Sequence, residues 1–264
     1  MIMTNFLQKR KSVRDFKKKA VSRDIIENIK KDIEEAREKT SKVDFKFYEN
    51  GSIIFNGLKG KAGYNGVMIE APSYVALVQK DGSKESFLNT GYYMERLNTK
   101  IVNENLDSCW ITVDDVDDET KKNLFGEDGE KVNFIIAFGY GVGKKLFIPE
   151  ATSDRYSVNE IVFKDTLDNP VEDEDLEELG LFDIMSSVRY APSHMNLQPW
   201  RFVLRNNEVF LYIKKSDHLD RSLVDCGVVM FYFEEMAKTI GRYGKWTVLL
   251  NDDGDYIEVS SFKM

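Results

Sequence analysis

The sequence predicts a mixed fold of helices and short strands built on an internal duplication. Two observations carry that reading: helical and strand periodicities alternate along the whole chain, and three blocks of the first half recur in order in the second. A third supports it, because tight turn signals at Asn206-Asn207 and Asp253-Gly254 join neighbouring strands into hairpins.

Taken in order, a first helix is expected to start at Thr4 or Asn5, both good N-caps, and to end near Lys11. A second runs over 22–39 from a Ser22 cap, with Ile25, Ile26, Ile29, Ile33 and Ala36 forming one apolar stripe. Residues 43–48 alternate and read as a half-exposed strand, and the glycine-rich stretch 56–66 reads as a loop. A buried-type strand over 74–78 is followed by a long helix over 86–105 with apolar residues on more than one face. The acidic stretch 114–119 reads as a solvated helix start, and 132–138 is a strongly apolar strand. Residues 164–175, polar, acidic and containing Pro170, read as a linker between a first half over 1–163 and a shorter second half over 176–264. In the second half a helix covers 176–189, stopped by Ala191-Pro192. Strands over 201–204 and 209–213, a helix over 223–241 and strands over 246–250 and 256–259 complete the chain.

The repeat rests on three blocks. Gly91, Met94 and Trp110 recur as Gly227, Met230 and Trp246, 136 residues further on with no gap. Residues 71–77 align with 198–204 at an offset of 127, and Ile29, Ile33, Ala36-Arg37 and Ser41 fall on Leu181, Met185, Val188-Arg189 and Ser193 at an offset of 152.

With 42% hydrophobic and 12% aromatic residues the chain has material for a core. A net charge of −8 and a pI near 5.1 oppose nucleic acid as a partner, since polyphosphate would be repelled at long range. No apolar run is long enough for a membrane span and the N-terminus lacks a signal-peptide pattern, so the expected location is the cytoplasm. Cys109 and Cys226 lie far apart, and with His194 and His218 as the two histidines no metal site is expected.

Two segments carry chemistry. Arg10, Ser12 and Arg14 are spaced by two, so an extended backbone would point them to one side. Two guanidiniums and a hydroxyl arranged so can grip a phosphate; a basic turn in solvent is the other reading. In the segment 189–202, Pro192 and Pro199 stiffen a helix-to-strand loop that presents Ser193, His194, Asn196 and Gln198. Such a loop suits a flat, heteroatom-rimmed ring, and equally an ordinary connection whose polar groups bond the local backbone.

Arg10-x-Ser12-x-Arg14-x-Phe16 resembles the first signature of FMN-dependent nitroreductases, and Ala191-Pro192-Ser193-x-x-Asn196-x-Gln198-Pro199-Trp200-x-Phe202 resembles the second. Looser likenesses are Gly91 ahead of 108–111, which resembles the central helix and the flavin-facing loop, and 138–141 with Arg155, which resembles the last strand and a phosphate arm. The first half lacks the proline loop, reading Glu38-Lys39-Thr40-Ser41 there, and the second lacks Arg-x-Ser-x-Arg. Each half supplies what the other has lost, a pattern similar to fused, pseudo-dimeric members of the family.

The resemblance implies an α+β three-layer sandwich, internally duplicated, with a mostly antiparallel sheet flanked by helices, acting as a monomer that is its own pseudo-dimer. It implies one FMN between the halves, with Arg10, Lys11, Ser12, Arg14, Lys145 and Arg155 at the phosphate. Pro192, Ser193, His194 and Asn196 would line the ring and ribityl chain, backbone near Ile111 and Thr112 would face the reactive edge, and Lys61 or Asn65 would reach the pyrimidine side. The implied enzyme passes hydride from NAD(P)H through the flavin to a small electron-poor acceptor such as a nitroaromatic or quinone. No catalytic side chain is required, because the flavin carries the chemistry. The alternatives are a non-catalytic flavin-binding or flavin-sensing protein and an interaction domain that has lost its cofactor.

Overall fold

The protein is described here from a computed structural model, which covers residues 10–63, 66–143 and 154–264. Among these residues the chain forms two compact units, one holding Ser83–Glu95 and 154–264, the other 10–82 and 96–143.

The second of these units is built on a four-stranded sheet. Helix α1 (Arg23–Lys39) follows Ser22 as expected and buries Ile26, Ile29, Ile33 and Ala36. Strands β1 (Val43–Tyr48), β2 (Ser73–Gln79), β3 (Asp107–Thr112) and β4 (Val132–Gly139) pair antiparallel in the order β1-β2-β4-β3. Every residue of β2 is buried, as a central strand requires. A short helix, α2 (Gly51–Leu58), occupies the start of the stretch expected to be a loop. Asn50 caps it by accepting from the Ser52 N–H at 3.2 Å, and its buried Ile54 and Leu58 join the core against Tyr74, Ile111, Phe125 and Ile135. Its two glycines masked that apolar face in the sequence. Helix α4 (Asp118–Phe125) is capped by Asp117, whose carboxylate accepts from the Thr120 N–H at 2.8 Å.

The other unit carries a five-stranded sheet. Its strands are β5 (Val162–Lys164), β6 (Trp200–Arg205), β7 (Glu208–Lys214), β8 (Trp246–Asp253) and β9 (Tyr256–Lys263), in the order β5-β6-β7-β9-β8. All pairs are antiparallel except β5 with β6, which is parallel. Asn206 and Asn207 have φ of 53° and 59°, the pair of positive values a two-residue hairpin turn needs. Helix α8 (Leu219–Thr239) buries most of its length, and Phe233 stacks edge-on with Trp246 and Phe262 at 5.2 and 5.0 Å.

Setting β5 aside, the two sheets have the same strand order, with β1, β2, β3 and β4 taking the places of β6, β7, β8 and β9. The long helices preceding β3 and β8 are α3 (Lys84–Asn103) and α8. They cross at the repeated glycines: a Cβ on Gly91 would stand 1.8 Å from the Val224 carbonyl oxygen, and one on Gly227 2.0 Å from that of Leu88. Leu88 and Val224 are themselves 136 residues apart, so the crossing is reciprocal, as an interface between two copies would be. The duplication is thus a feature of the fold. The block at offset 127 does not belong to it, because it sets β2 on β6 where the strand order sets β1 there. The two segments share a proline before a strand and no more.

Three further expectations change. Arg10 and Lys11 are not helical, while the rest of the expected first helix lies outside the described residues. The helix over 176–189 is two helices, α6 (Asp173–Glu178) and α7 (Phe182–Val188), separated at Gly180 with φ of 62°. The segment 164–175 is packed and is no spacer: Lys164 ends β5, the Asp165 N–H donates to the Leu204 carbonyl at 2.9 Å, and Val171 is buried. Pairing of β5 with β6 draws the chain before the expected boundary into the second sheet, so the units do not divide at 163.

Candidate cofactor-binding site

The loop after α7 is a tightly constrained polar segment. Met195, Asn196 and Gln198 adopt φ of 49°, 59° and 48°, values that non-glycine residues hold only when other contacts fix them. Those contacts are present. Arg155 Nη1 donates to Asn196 Oδ1 at 2.6 Å and to the Ala191 carbonyl at 3.1 Å, and Asn196 Nδ2 donates to the Asp154 carbonyl at 2.7 Å. Gln198 Oε1 accepts from the Tyr156 N–H at 3.1 Å, and the Gln198 N–H donates to Ser193 Oγ at 3.0 Å. Arg189 Nη1 donates to the Tyr156 carbonyl at 3.0 Å. Residues 154–156 and 189–198 are therefore one hydrogen-bonded body.

Two residues expected at the flavin thus have other partners. Arg155, read as a phosphate arm, and Asn196, read as a ring contact, bond each other. Meanwhile Met195 is 81% and Leu197 54% exposed, so the loop turns its polar groups inward and offers apolar side chains outward. Pro192, Ser193 and His194 are half-buried in the same loop.

Three residues hold this loop, and two of them, Asp225 and Arg221, carry no signal of that role in the sequence motifs. Gln198 is buried and cross-links the two segments. Asp225 and Arg221 project from α8: the His194 N–H donates to Asp225 Oδ1 at 3.0 Å and Oδ2 at 3.2 Å, and Arg221 Nη1 lies 3.1 Å from His194 Nε2. Burial pushes the Asp225 carboxyl up to about 7, against the pull of the His194 N–H. An aspartate within the run Ser222-Leu223-Val224-Asp225-Cys226-Gly227-Val228 was the sequence signal available, since a buried carboxylate needs a partner.

The arginine segment lies in the other unit. Ser12 forms a parallel bridge to Ser108 at the start of β3, the Val13 N–H donates to the Ser108 carbonyl at 2.9 Å, and Phe16 bridges to Gly141. The chain is extended here, as the spacing of two required. Burial raises the Cys109 thiol, while the charges of Arg14 and Arg10 and a hydrogen bond with Ser12 pull it back. An extended backbone sets the alternate residues Arg10, Ser12 and Arg14 on one side of the segment, the arrangement a phosphate grip needs. Lys11, Ser12 and Arg14 are exposed.

The remaining expected residues divide. Ile111 lies in the hydrophobic core, and its backbone faces β4, because the Val113 N–H donates to the Asn133 carbonyl at 2.9 Å and alternate residues point the same way. By the same alternation the backbone of Thr112 points to the side of β3 away from β4, the edge position a ligand contact would use. Lys61 is committed elsewhere: its ammonium bonds Thr120 Oγ1 and pairs with Asp117 at 3.5 Å, at the start of α4. Asn65 and Lys145 lie outside the described residues. Among the described residues no group of three or more His, Cys, Asp or Glu could hold a metal ion, and no helix is long and apolar enough to cross a membrane.

The sequence profile of the family described as "Putative TM nitroreductase" matches residues 3–237. A solved Thermotoga maritima structure of the same designation is 19% identical, with a TM-score of 0.63 over 99% of this chain and 93% of its own. A Bacteroides fragilis nitroreductase with bound FMN is 15% identical, with a TM-score of 0.45 over 57% of this chain and 94% of its own. An FMN-dependent nitroreductase of Mycobacterium smegmatis, solved in complex with NADPH, is 13% identical with a TM-score of 0.43 over 53% of this chain and 87% of its own. No curated protein matches the chain. A profile match through most of the sequence, on a duplicated α+β fold that the Thermotoga maritima structure shares from end to end, makes this chain a member of that nitroreductase family.

Proposed function

We propose that the protein is a cytoplasmic FMN-dependent oxidoreductase that passes hydride from NAD(P)H to a small electron-poor acceptor, with one FMN per chain. The observation that carries the reading is the division of labour between two segments. One is an extended Arg10-Ser12-Arg14 run bridged at Ser12 to Ser108 beside β3; the other is a loop over 191–198 held rigid by polar contacts on both sides. The residues fit the cofactor class. Two guanidiniums and a hydroxyl suit a phosphate, and a fixed loop with outward apolar side chains suits a flat ring.

When bound, FMN supplies the hydride chemistry, so the protein need supply binding, orientation and electrostatics. Arg10, Ser12 and Arg14 hold the phosphate. Pro192, Ser193 and His194 line the ring, and the edge backbone at Thr112 supplies a hydrogen-bonding position. Arg155 and Asn196 act one step back, by fixing the loop. Met195 and Leu197 give the loop an apolar surface for a flat acceptor.

The test pairs uptake with reduction. FMN should bind and lose its oxidised absorption under anaerobic NADH or NADPH; flavin that binds and stays oxidised identifies a flavin-binding protein without this activity. Arg14→Ala should weaken FMN by about 1.5–3 kcal/mol and leave riboflavin, which lacks the phosphate, unaffected. Equal FMN affinity in both proteins removes the arginine run from the site.

A further inference from the structure

The sulfur atoms of the protein differ in what they meet. Cys109 and Cys226 are both buried, and burial raises both thiols, so neither presents the thiolate that oxidants attack. Met68, Met94, Met185, Met230 and Met236 lie in the core, none of them more than 7% exposed. Met264 is half-buried, and its sulfur accepts from Arg242 Nη1 at 3.1 Å. Met1 and Met3 lie outside the described residues. Met195 is the exception among the described residues: it is 81% exposed, in the loop over 191–198.

That exposure is built into the backbone. Met195 sits between two anchored neighbours. The His194 N–H donates to Asp225 Oδ1 at 3.0 Å, and the Asn196 side chain accepts from Arg155 Nη1 at 2.6 Å and donates to the Asp154 carbonyl at 2.7 Å. Met195 itself is held at φ of 49° between these anchors. None of these bonds uses its side chain, so the sulfur can change chemically without removing a contact that fixes the loop. A leucine here would offer the same apolar surface. A thioether adds a lone pair open to two-electron oxidants.

We propose that Met195 is a modification site, oxidised by hydrogen peroxide or an organic peroxide to methionine sulfoxide ahead of every other sulfur among the described residues. The sulfur lone pair attacks the terminal peroxide oxygen, and an S–O bond forms as the O–O bond breaks. The proton of the attacked oxygen passes to the departing one, which leaves as water or an alcohol. Sulfur is oxidised by two electrons and the peroxide is reduced by two. The product puts a strong hydrogen-bond acceptor where the loop had an outward apolar side chain. That this weakens binding of a flat electron acceptor rests on the function proposed above; the order of oxidation does not.

Peptide mass spectrometry of the folded protein under graded hydrogen peroxide tests the order. The tryptic peptide 190–201 has Met195 as its one sulfur-bearing residue, and fragment ions separate an oxygen on Met195 from one on His194 or Trp200. Met195 should oxidise at least about tenfold faster than Met94, Met185 or Met230, which react only after the core opens locally. In denaturant the rates should converge. Equal rates in the folded protein, or earlier oxidation of Cys109 or Cys226, overturn the proposal. Hydrogen exchange at the His194 amide should be the same before and after oxidation; faster exchange would contradict a change confined to the surface. Peroxide should raise the KM for a quinone or nitroaromatic severalfold in the wild type, reversibly with methionine sulfoxide reductases, and should leave the KM of Met195→Leu where it started. A wild-type KM that does not move when Met195 is fully oxidised overturns the effect on the acceptor. A protein that reduces no acceptor at all defeats the function proposed above, and the order of oxidation then decides the site.

Discussion

The two copies of the sheet agree in strand order and in the long helix that joins their second and third strands, and differ in the two remaining connections. In the first, β1 and β2 are separated by residues 49–72 with helix α2, and β3 and β4 by residues 113–131 with helix α4. In the second, Asn206-Asn207 alone joins β6 to β7, and Gly254 with Asp255 joins β8 to β9. Strand order is fixed by pairing and by the helix crossing, where a change disturbs every neighbour. Connections lie outside that constraint and can be lost or specialised separately. The first copy has kept the arginine run beside β3, the second the proline loop ahead of β6.

The helix crossing, which both copies share, tolerates substitution least. Gly91→Val and Gly227→Val should each cost about 4 kcal/mol or more, because a side chain would meet the facing helix backbone at 1.8 or 2.0 Å. Gly82→Val, with nothing within 4 Å, is the control and should stay within about 0.5 kcal/mol. Chemical denaturation measures all three. A large loss at one crossing glycine and none at the other would contradict the reciprocity.

The second effect separates Asp225 from its counterpart Asn89. The Asp225 carboxyl rises in the folded protein from the ordinary 3.8 to about 7, so the fold binds its proton more tightly than the unfolded chain does. Stability from this group is therefore fully present below about pH 4 and is lost as pH rises towards 7, then levels off. Relative to Asp225→Asn, the wild type should lose on the order of a few kcal/mol between pH 4 and 8. Asn89→Ala should show no such pH dependence. A flat difference between wild type and Asp225→Asn would mean that the carboxylate is ionised throughout.

How much of this was legible beforehand follows from where the constraint lies. Helix α1, strand β1 and the Asn206-Asn207 hairpin were readable because cap, period and turn chemistry are local. Helix α2 was not, since Gly57 opens the glycine-rich stretch 56–66 that reads as a loop, and β5 was not, since a three-residue strand leaves no period. The motif residues were found, but partners of Arg155 and Asn196 were not, because the contact joins residues 41 apart in sequence. Asp225 and Arg221 were passed over for the same reason: a helical period shows which face is apolar and says nothing of what a polar residue on it will meet.

The smallest effect concerns Arg155 and Asn196, which bond each other. Arg155→Ala and Asn196→Ala should each cost about 1–3 kcal/mol in unfolding free energy, and the double variant less than their sum by about 1–2 kcal/mol. Strict additivity would show that the two do not act together.

On the function proposed above, one chain carrying one arginine run and one proline loop makes one flavin site. Two identical subunits with both motifs would make two; here the copies have divided them. Flavin titration followed by native mass measurement tests this directly. One FMN on a single chain of 30.5 kDa is the predicted result. Two FMN on one chain, or one FMN shared by two chains, would contradict it.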